Sequence, residues 1–282
     1  MPRDRSFGYP VRPERARHAG LTGGRKTRDK AKMRLLESPY PFGIGRRTWP
    51  LFALGALAVL LLAFPFDREL SVAGTGLPES IRSFFFYITD VGVSDWILYP
   101  SAALFAISAL LAFAMRSKPK PSRALAQLAQ LYAFVFLGVA IPGLAANLVK
   151  RIVGRARPEL YDSAGSFSFE HFVNDWTYQS FVSGHSTTIF AVAFVLSFLA
   201  PRWFWPAMVL AVLVAISRVI VGAHYPTDII AGAIVGTIGA YLVRNLFASR
   251  RILFEYRPDG TVAVRPFAAV SRLVRKRDRT RS

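Results

Sequence analysis

The sequence predicts an all-α, polytopic membrane protein built as a bundle of six transmembrane helices. Hydrophobic residues make up 52% of the 282 residues, yet the formal net charge is +19. The apolar residues are concentrated in runs of about 20 residues, the length that a helix needs to span a bilayer. The basic residues lie between these runs and at the chain ends, which is typical of membrane proteins rather than of soluble domains.

The charge pattern divides the chain into three regions. Residues 1–47 are rich in Arg, Lys, Gly and Pro without apolar periodicity, so we expect a basic, largely disordered cytoplasmic tail, with residues 35–36 resting on the membrane surface. Residues 48–247 form the predicted six-helix domain. Residues 248–282 form a second basic cytoplasmic tail.

The six predicted spans follow one another through the middle region. They cover residues 48–66, 95–115, 124–149, 184–200, 208–223 and 228–247. Residues 70–94 carry apolar side chains at helical spacing, which predicts either a helix in the membrane interface or a buried connecting helix. The sixth span contains small residues that allow close helix packing, namely Ala231, Gly232, Gly236 and Gly239.

The distribution of Lys and Arg predicts the topology. Of the 36 basic residues, 29 fall in the two tails and in the segments that six spans place on the same face as the tails. The positive-inside rule makes that face cytoplasmic in a plasma (bacterial inner) membrane, with both termini inside and anionic lipids as partners of the basic tails. Four of the remaining seven cluster in residues 150–157, on the outer face.

Nucleic-acid binding is the alternative explanation of the basic charge. No recognised nucleic-acid motif accompanies the tails, so we expect no nucleic-acid partner. The chain contains no cysteine, which excludes disulfides and thiolate chemistry or ligation.

The first of three polar clusters at outer span ends is Lys150-Arg-Ile-Val-Gly-Arg-Ala-Arg157-Pro158. Lys150 and Arg157 are seven residues apart, about two helical turns, so they share a side if the helix persists. Their charges and donors suit a phosphate dianion. Taken alone, snorkelling of basic residues at a helix end explains them as well.

The second cluster, Ser183-Gly184-His185, opens the fourth span. Ser183 is a typical N-cap, and a helix N-terminus presents free backbone amides to an anion. An ordinary cap beside an interfacial histidine is the alternative.

The third cluster is Ser217-Arg218-Val-Ile-Val-Gly-Ala-His224-Tyr-Pro226-Thr-Asp228, between the fifth and sixth spans. Pro226 breaks the helix, which lets Asp228 accept a hydrogen bond from one imidazole nitrogen of His224 and leaves the other nitrogen free. A structural Asp–His pair at a helical hairpin is the alternative.

Together the three clusters resemble the motifs of the type 2 phosphatidic acid phosphatase family, which includes membrane lipid phosphatases and soluble vanadium haloperoxidases. The family pattern is Lys-x6-Arg-Pro, Pro-Ser-Gly-His and Ser-Arg-x5-His-x3-Asp. The resemblance covers about residues 95–246 and has one departure, because Val182 stands where the family usually has proline.

The resemblance implies the roles of the residues. His224 is the nucleophile and forms a phosphohistidine, Asp228 orients it, and His185 is the general acid and base. The phosphate-binding residues are then Lys150, Arg157, Arg218, Ser183 and Gly184. No metal or other cofactor is implied, and the scattered outer acidic residues form no ligand pattern.

The spans imply a membrane lipid phosphate as the substrate, with the active site on the outer (periplasmic or extracytoplasmic) face. The candidates are undecaprenyl diphosphate, lipid A phosphate, phosphatidylglycerol phosphate and phosphatidic acid. A lipid-to-lipid phosphotransferase that uses the same intermediate is the alternative. The aromatic loop 159–182 either shapes access for the head group or anchors the protein at the interface.

Overall fold

The computed structural model describes residues 33–45, 47–165, 167–172 and 174–266. Residues 1–32 and 46 of the first predicted tail and residues 267–282 of the second therefore lie outside the described residues. The helices are α1 (Trp49–Ala63), α2 (Asp67–Thr75), α3 (Glu79–Asp90), α4 (Asp95–Ala114), α5 (Pro119–Val153), α6 (Tyr161–Ala164), α7 (Gly184–Leu199), α8 (Phe204–Ile220) and α9 (Pro226–Ser249). The strands are β1 (Phe254–Tyr256) and β2 (Val262–Val264), which pair antiparallel.

Five helical stretches in the described part of the chain are long and apolar enough to cross a membrane. They are Trp49–Thr75, Glu79–Ala114, Pro119–Val153, Pro201–Ile220 and Pro226–Ser249. The fourth predicted span is also an apolar helix, α7, but its 16 residues are short for a crossing. The prediction of a helical, multi-pass membrane protein is confirmed.

In the bundle, α4 packs against α5, and α7 packs against α5, α8 and α9. The glycines of α9 allow the closest approach, as the small-residue pattern predicted. A Cβ on Gly236 would stand 2.3 Å from the carbonyl oxygen of Thr187 in α7, and one on Gly239 would stand 2.5 Å from Pro142 in α5. Because no larger residue fits there, these glycines fix how tightly α9 lies against its neighbours.

Helix α3 occupies the region between the first two predicted spans. Thr89 is its one buried residue, while Phe84 and Phe86 are about half exposed. This exposure argues against a buried connecting helix. The helix packs against α8, near the end that carries Arg218.

The far end of α9 is covered by residues 33–45 and by the β-hairpin. Arg244 is buried there and donates hydrogen bonds to the carbonyl oxygens of Leu36 and Ser38. Leu36 is buried within the protein, whereas the sequence predicted that residues 35–36 rest on the membrane surface. Phe254 of β1 joins the same core cluster. Residues 33–45 and the hairpin thus cover this end of the bundle, and the three polar clusters lie at the opposite end.

Candidate active site

The first cluster begins inside α5 and continues beyond its end. Lys150 lies in the last turn and is only 8% exposed. Gly154 ends the helix with a left-handed φ of +62°. A Cβ on this glycine would overlap the carbonyl oxygen of Glu170, so a side chain is excluded there. The helix therefore ends before Arg157. The sequence spacing predicted that Lys150 and Arg157 share a side only if the helix continued to Arg157, and that condition is not met.

Arg157 reaches the site from an extended segment. Its backbone amide donates to the carbonyl oxygen of Thr177 at 2.8 Å, and the amide of Ala156 donates to Ser168 at 3.0 Å. The side chain donates from Nε to the carbonyl oxygen of Trp176, whose ring lies 4.9 Å from the guanidinium carbon. The aromatic loop thus holds Arg157 in place. This contact gives the loop a structural role that neither sequence alternative included.

The second cluster forms the N-terminus of α7, as predicted. The Ser183 side chain accepts a hydrogen bond from the amide of Ser186, and the Ser183 amide donates to the backbone carbonyl of Asp228 at 3.0 Å. A Cβ on Gly184 would stand 3.4 Å from Nζ of Lys150, so this turn and the first cluster are in contact. His185 packs against Gly92, in the turn between α3 and α4.

The third cluster spans the turn between α8 and α9. Arg218, near the C-terminus of α8, donates from Nη1 to Oγ1 of Thr89 at 2.6 Å. Its backbone carbonyl accepts hydrogen bonds from the amides of Ala223 and His224, which folds the turn back onto the helix. Gly222 adopts a φ of +74° within this turn.

His224 and Asp228 face each other without a hydrogen bond. Nδ1 of His224 lies 3.7 Å from Oδ2 of Asp228, beyond hydrogen-bonding distance, and has no other partner. Oδ2 instead accepts hydrogen bonds from Oγ of Ser180 at 2.5 Å and from the amide of Tyr225 at 2.9 Å. The predicted hydrogen bond is therefore absent, but the predicted orientation of the ring is present: Nδ1 points to the carboxylate and Nε2 is on the opposite edge of the ring.

The environment keeps the His224 imidazole neutral. Its exposure is 1%, and this burial lowers the pKa of His224 to about 3. The charges of Lys150 and Arg157 lower it further, while Asp228 acts in the opposite direction. A neutral ring carries the lone pair that a nucleophile needs at physiological pH.

Electrostatic contacts connect the predicted residues into one site. The positive charges of Arg218, Lys150 and Arg157 all act on His185. Burial also lowers the pKa of Arg157, with Glu159 and Asp228 opposing that effect. The structure thus brings together the eight residues that the sequence predicted, with two imidazoles surrounded by three cationic side chains.

Behind the site lies a buried ionic network around Arg155, which sequence reasoning did not identify. Arg155 is 2% exposed, and its Nη1 donates to Oδ1 of Asp228 while its Nη2 donates to Oδ2 of Asp67, both at 2.8 Å. Thr227 bridges the same groups, since its hydroxyl donates to Asp67 at 2.6 Å and accepts from Arg155 at 2.8 Å. The guanidinium is stacked on the ring of Tyr225 at 4.2 Å.

Comparison with known proteins agrees with this geometry. A family model described as the PAP2 superfamily matches residues 131–252. The lipid A 1-phosphatase of Rhizobium johnstonii is 34% identical over 203 residues, which cover 72% of this chain and 82% of that protein. The protein of the same name from Rhizobium etli is 33% identical over 207 residues, covering 73% and 87%.

The chain belongs to the PAP2 superfamily. It is a membrane phosphatase that hydrolyses phosphoric esters, which confirms the resemblance drawn from the three motifs. Among solved structures, a transmembrane PAP2-type phosphatidylglycerolphosphate phosphatase from Bacillus subtilis aligns with a TM-score of 0.44 and 23% identity, covering 71% of this chain and 96% of that one.

Within the PAP2 motifs, Arg155 occupies one of the six unspecified positions between Lys150 and Arg157. Asp67 lies outside the matched family region, on α2. One sequence signal was available, since an arginine and an aspartate beside apolar spans require partners. The sequence did not indicate that Arg155 and Asp67 pair with each other, because 88 residues separate them.

The described residues of this PAP2 phosphatase contain no group of three or more His, Cys, Asp and Glu side chains placed to hold a metal ion. The two buried carboxylates of the described residues, Asp67 and Asp228, are paired with Arg155 and with hydroxyl and amide donors. Metal independence remains a prediction.

Proposed function

We propose that this PAP2 phosphatase removes the phosphate from a lipid A-type phosphoglycolipid by way of a phosphohistidine on His224. One observation carries the mechanism: the imidazole of His224 is buried, with Nδ1 directed at Asp228, where the charges of Lys150 and Arg157 act on it. The substrate class rests on the lipid A 1-phosphatases, which align over more than four fifths of their length. Phosphatidylglycerol phosphate, phosphatidic acid and undecaprenyl diphosphate are the competing substrates.

The first step transfers phosphorus to the enzyme. Nε2 of His224 attacks the phosphorus atom with its lone pair, the bond from phosphorus to the lipid oxygen breaks, and His185 gives that oxygen a proton. Lys150, Arg157 and Arg218 bind the equatorial oxygens, where negative charge is concentrated in the transition state. A bound phosphate dianion favours the protonated form of His185, because opposite charges stabilise each other.

The second step regenerates the enzyme. A water molecule attacks the phosphohistidine, His185 accepts its proton, and the bond between phosphorus and Nε2 breaks to release inorganic phosphate. Asp228 stabilises the positive charge that His224 carries while it is phosphorylated. The amides at the N-terminus of α7 and the Ser183 hydroxyl add donors to the phosphate oxygens.

The outer face of the membrane is the proposed location of this chemistry. By the positive-inside rule we expect both termini in the cytoplasm. Because the first motif follows the third of the six predicted spans, the second opens the fourth and the third lies between the fifth and sixth, all three motifs are then expected outside. A reporter fused after Ser282 should give a cytoplasmic signal, and one inserted at exposed Asp162 an external one. The reverse pattern would contradict the proposed location.

The test of the proposed function is a phosphate-release assay on the purified protein in detergent, over the four candidate lipid classes. We expect lipid A 1-phosphate to give the highest kcat/KM, and His224→Ala to release no phosphate. His171→Ala is the matched control, since His171 is exposed and lies in the aromatic loop.

Two further results would revise the proposal. Full activity in His224→Ala would refute the nucleophile. Transfer of phosphate to an added acceptor lipid, with little free phosphate, would identify the phosphotransferase that the sequence left as the alternative.

A further inference from the structure

We infer that a second cavity, beside the phosphate site, binds a sugar ring of the substrate's head group; this inference rests on the proposed function. The cavity has a volume of about 420 Å³ and is formed by α2, residues 158–162 and the turn at Val221 and Gly222. Tyr225, the neighbour of His224 in the chain, lines it too. The catalytic turn is thus shared by the cavity and the phosphate site.

The first evidence is a pair of buried hydroxyl groups without partners. Ser71 is 5% exposed and Tyr225 is fully buried, and neither hydroxyl makes a hydrogen bond. Seven buried side-chain atoms in the described part of the chain lack a partner, and the two hydroxyls among them both belong to residues that line this cavity. Unmade hydrogen bonds in buried places are costly, so a ligand that supplies them is expected.

The chemistry of the two hydroxyls narrows the class of ligand. Burial raises the pKa of Tyr225 to about 12, so its hydroxyl stays protonated and can both donate and accept. The Ser71 hydroxyl has the same capacity. A sugar hydroxyl is also both donor and acceptor, and it therefore complements these groups whichever way each of them turns.

The charges around the cavity exclude two other ligand classes. Arg68 contributes one positive charge and stacks on Tyr161 at 4.9 Å, while Glu159 and Asp162 contribute two negative charges. A second phosphate would be repelled by the two carboxylates. A prenyl chain would offer no hydrogen bond to the Ser71 and Tyr225 hydroxyls and no polar contact to the charged side chains. A neutral, hydroxyl-rich ring meets both requirements.

The position of the cavity fits a sugar that carries the scissile phosphate. Pro158 follows the phosphate-binding Arg157 and lines the cavity, as does Tyr225 after the nucleophile. The phosphate-site residues do not themselves line the cavity, so we place only the head group there, next to the residues that follow Arg157 and His224 in the chain. The cavity distinguishes a phosphoglycolipid from phosphatidic acid, which has no sugar to place there.

Two variants test the inference on the full-length protein. Ser71→Ala removes one unpartnered hydroxyl, and Val72→Trp narrows the cavity from a position that is 61% exposed, so the fold is not at risk. We expect Ser71→Ala to raise the KM for lipid A 1-phosphate about fivefold, the effect of one hydrogen bond, and Val72→Trp to raise it about tenfold. For both variants, kcat/KM for phosphatidic acid should stay within about twofold.

The control is Ser197→Ala, since Ser197 is also fully buried but donates to the carbonyl oxygen of Ala193 within α7. It should affect both lipids equally. Equal losses with both lipids in Ser71→Ala and Val72→Trp, or no loss with lipid A 1-phosphate, would overturn the sugar site and leave the proposed function intact. A wild-type protein that releases phosphate from neither lipid would overturn the proposed function, and the sugar site with it.

Discussion

Arg155 holds Asp228 by a direct ion pair, with Nη1 2.8 Å from Oδ1 and both side chains buried. The other carboxylate oxygen, Oδ2, is the one that faces His224. One guanidinium thus fixes the carboxylate that orients the proposed nucleophile. The residue acts through Asp228 and does not reach the phosphate site itself, so its role is positioning.

Replacing Arg155 should weaken both the fold and the site. Arg155→Ala leaves Asp67 and Asp228 buried without their cation, which costs about 3–5 kcal/mol of the free energy of unfolding. Arg155→Lys keeps the charge but cannot bridge two carboxylates with a planar fork, so an intermediate loss is expected. Thermal unfolding in detergent measures the effect. The control is Arg151→Ala, since Arg151 is exposed and belongs to the same motif; an equal loss there would contradict a specific role of Arg155.

Asp67 extends the network to α2, outside the matched PAP2 region. It accepts hydrogen bonds from Arg155 and from both the amide and the hydroxyl of Thr227, at the start of α9. Asp67→Asn keeps one acceptor but removes the charge, so we expect a loss of about 1–3 kcal/mol in stability and a lower kcat with little change in KM.

The control for this variant is Asp95→Asn, because Asp95 also lies in the first turn of a helix but is exposed. A double variant of Asp67 and Arg155 should lose less than the sum of the single losses, since both act on one network. Additive losses would show that the two residues act separately.

The proposed catalytic residues could be predicted from the sequence because their residue types and their spacing within the motifs indicate the chemistry. His185, His224 and Asp228 are recognisable without a structure, since the three motifs fall in order at the outer ends of predicted spans. That these residues meet in one site could be inferred only from the predicted membrane topology. The structure adds the contacts that produce it, such as Lys150 against Gly184.

The parts that sequence did not predict depend on burial and on distant partners. Arg155 was indistinguishable from its exposed neighbour Arg151, because only the fold decides which of them turns inward. Gly154 ends α5 before Arg157 with a left-handed φ, and the carbonyl oxygen of Glu170 leaves no room for a side chain there. The pairing of Leu36 with Arg244 joins residues more than 200 positions apart and left no local pattern.

His185 should be required for proton transfer in both chemical steps. Its removal in His185→Ala takes away the donor for the leaving oxygen, so kcat should fall about 10²-fold or more. A substrate with a good leaving group, such as a nitrophenyl phosphate, needs no proton in the first step and should show a smaller loss. Equal losses with both substrates would argue against the general-acid role.

Metal independence can be measured directly. The site places three cationic side chains around the expected phosphate position, which supplies the positive charge that other phosphatases take from metal ions. Activity should therefore persist after dialysis against EDTA. A complete loss that a divalent ion restores would contradict the prediction.

The depressed pKa of His224 gives a pH dependence with a defined sign. The unfolded chain binds a proton at this residue below its ordinary pKa of 6.5, whereas the folded protein does not until about pH 3. Between these values the unfolded state holds more protons, so lowering the pH favours unfolding. The contribution of His224 is complete above pH 6.5 and is lost progressively as the pH falls toward 3. Between pH 6.5 and pH 5 the loss amounts to about 2 kcal/mol.

The measurement is the unfolding midpoint in detergent across this pH range, in the wild type and in His224→Gln. Glutamine keeps a polar side chain of similar reach but does not titrate, so the variant should lose less stability on acidification. Because His171 is exposed, His171→Gln should follow the wild-type curve. A His224→Gln curve parallel to that of the wild type would show that the imidazole is not held neutral, and it would remove the basis for its nucleophilicity at neutral pH.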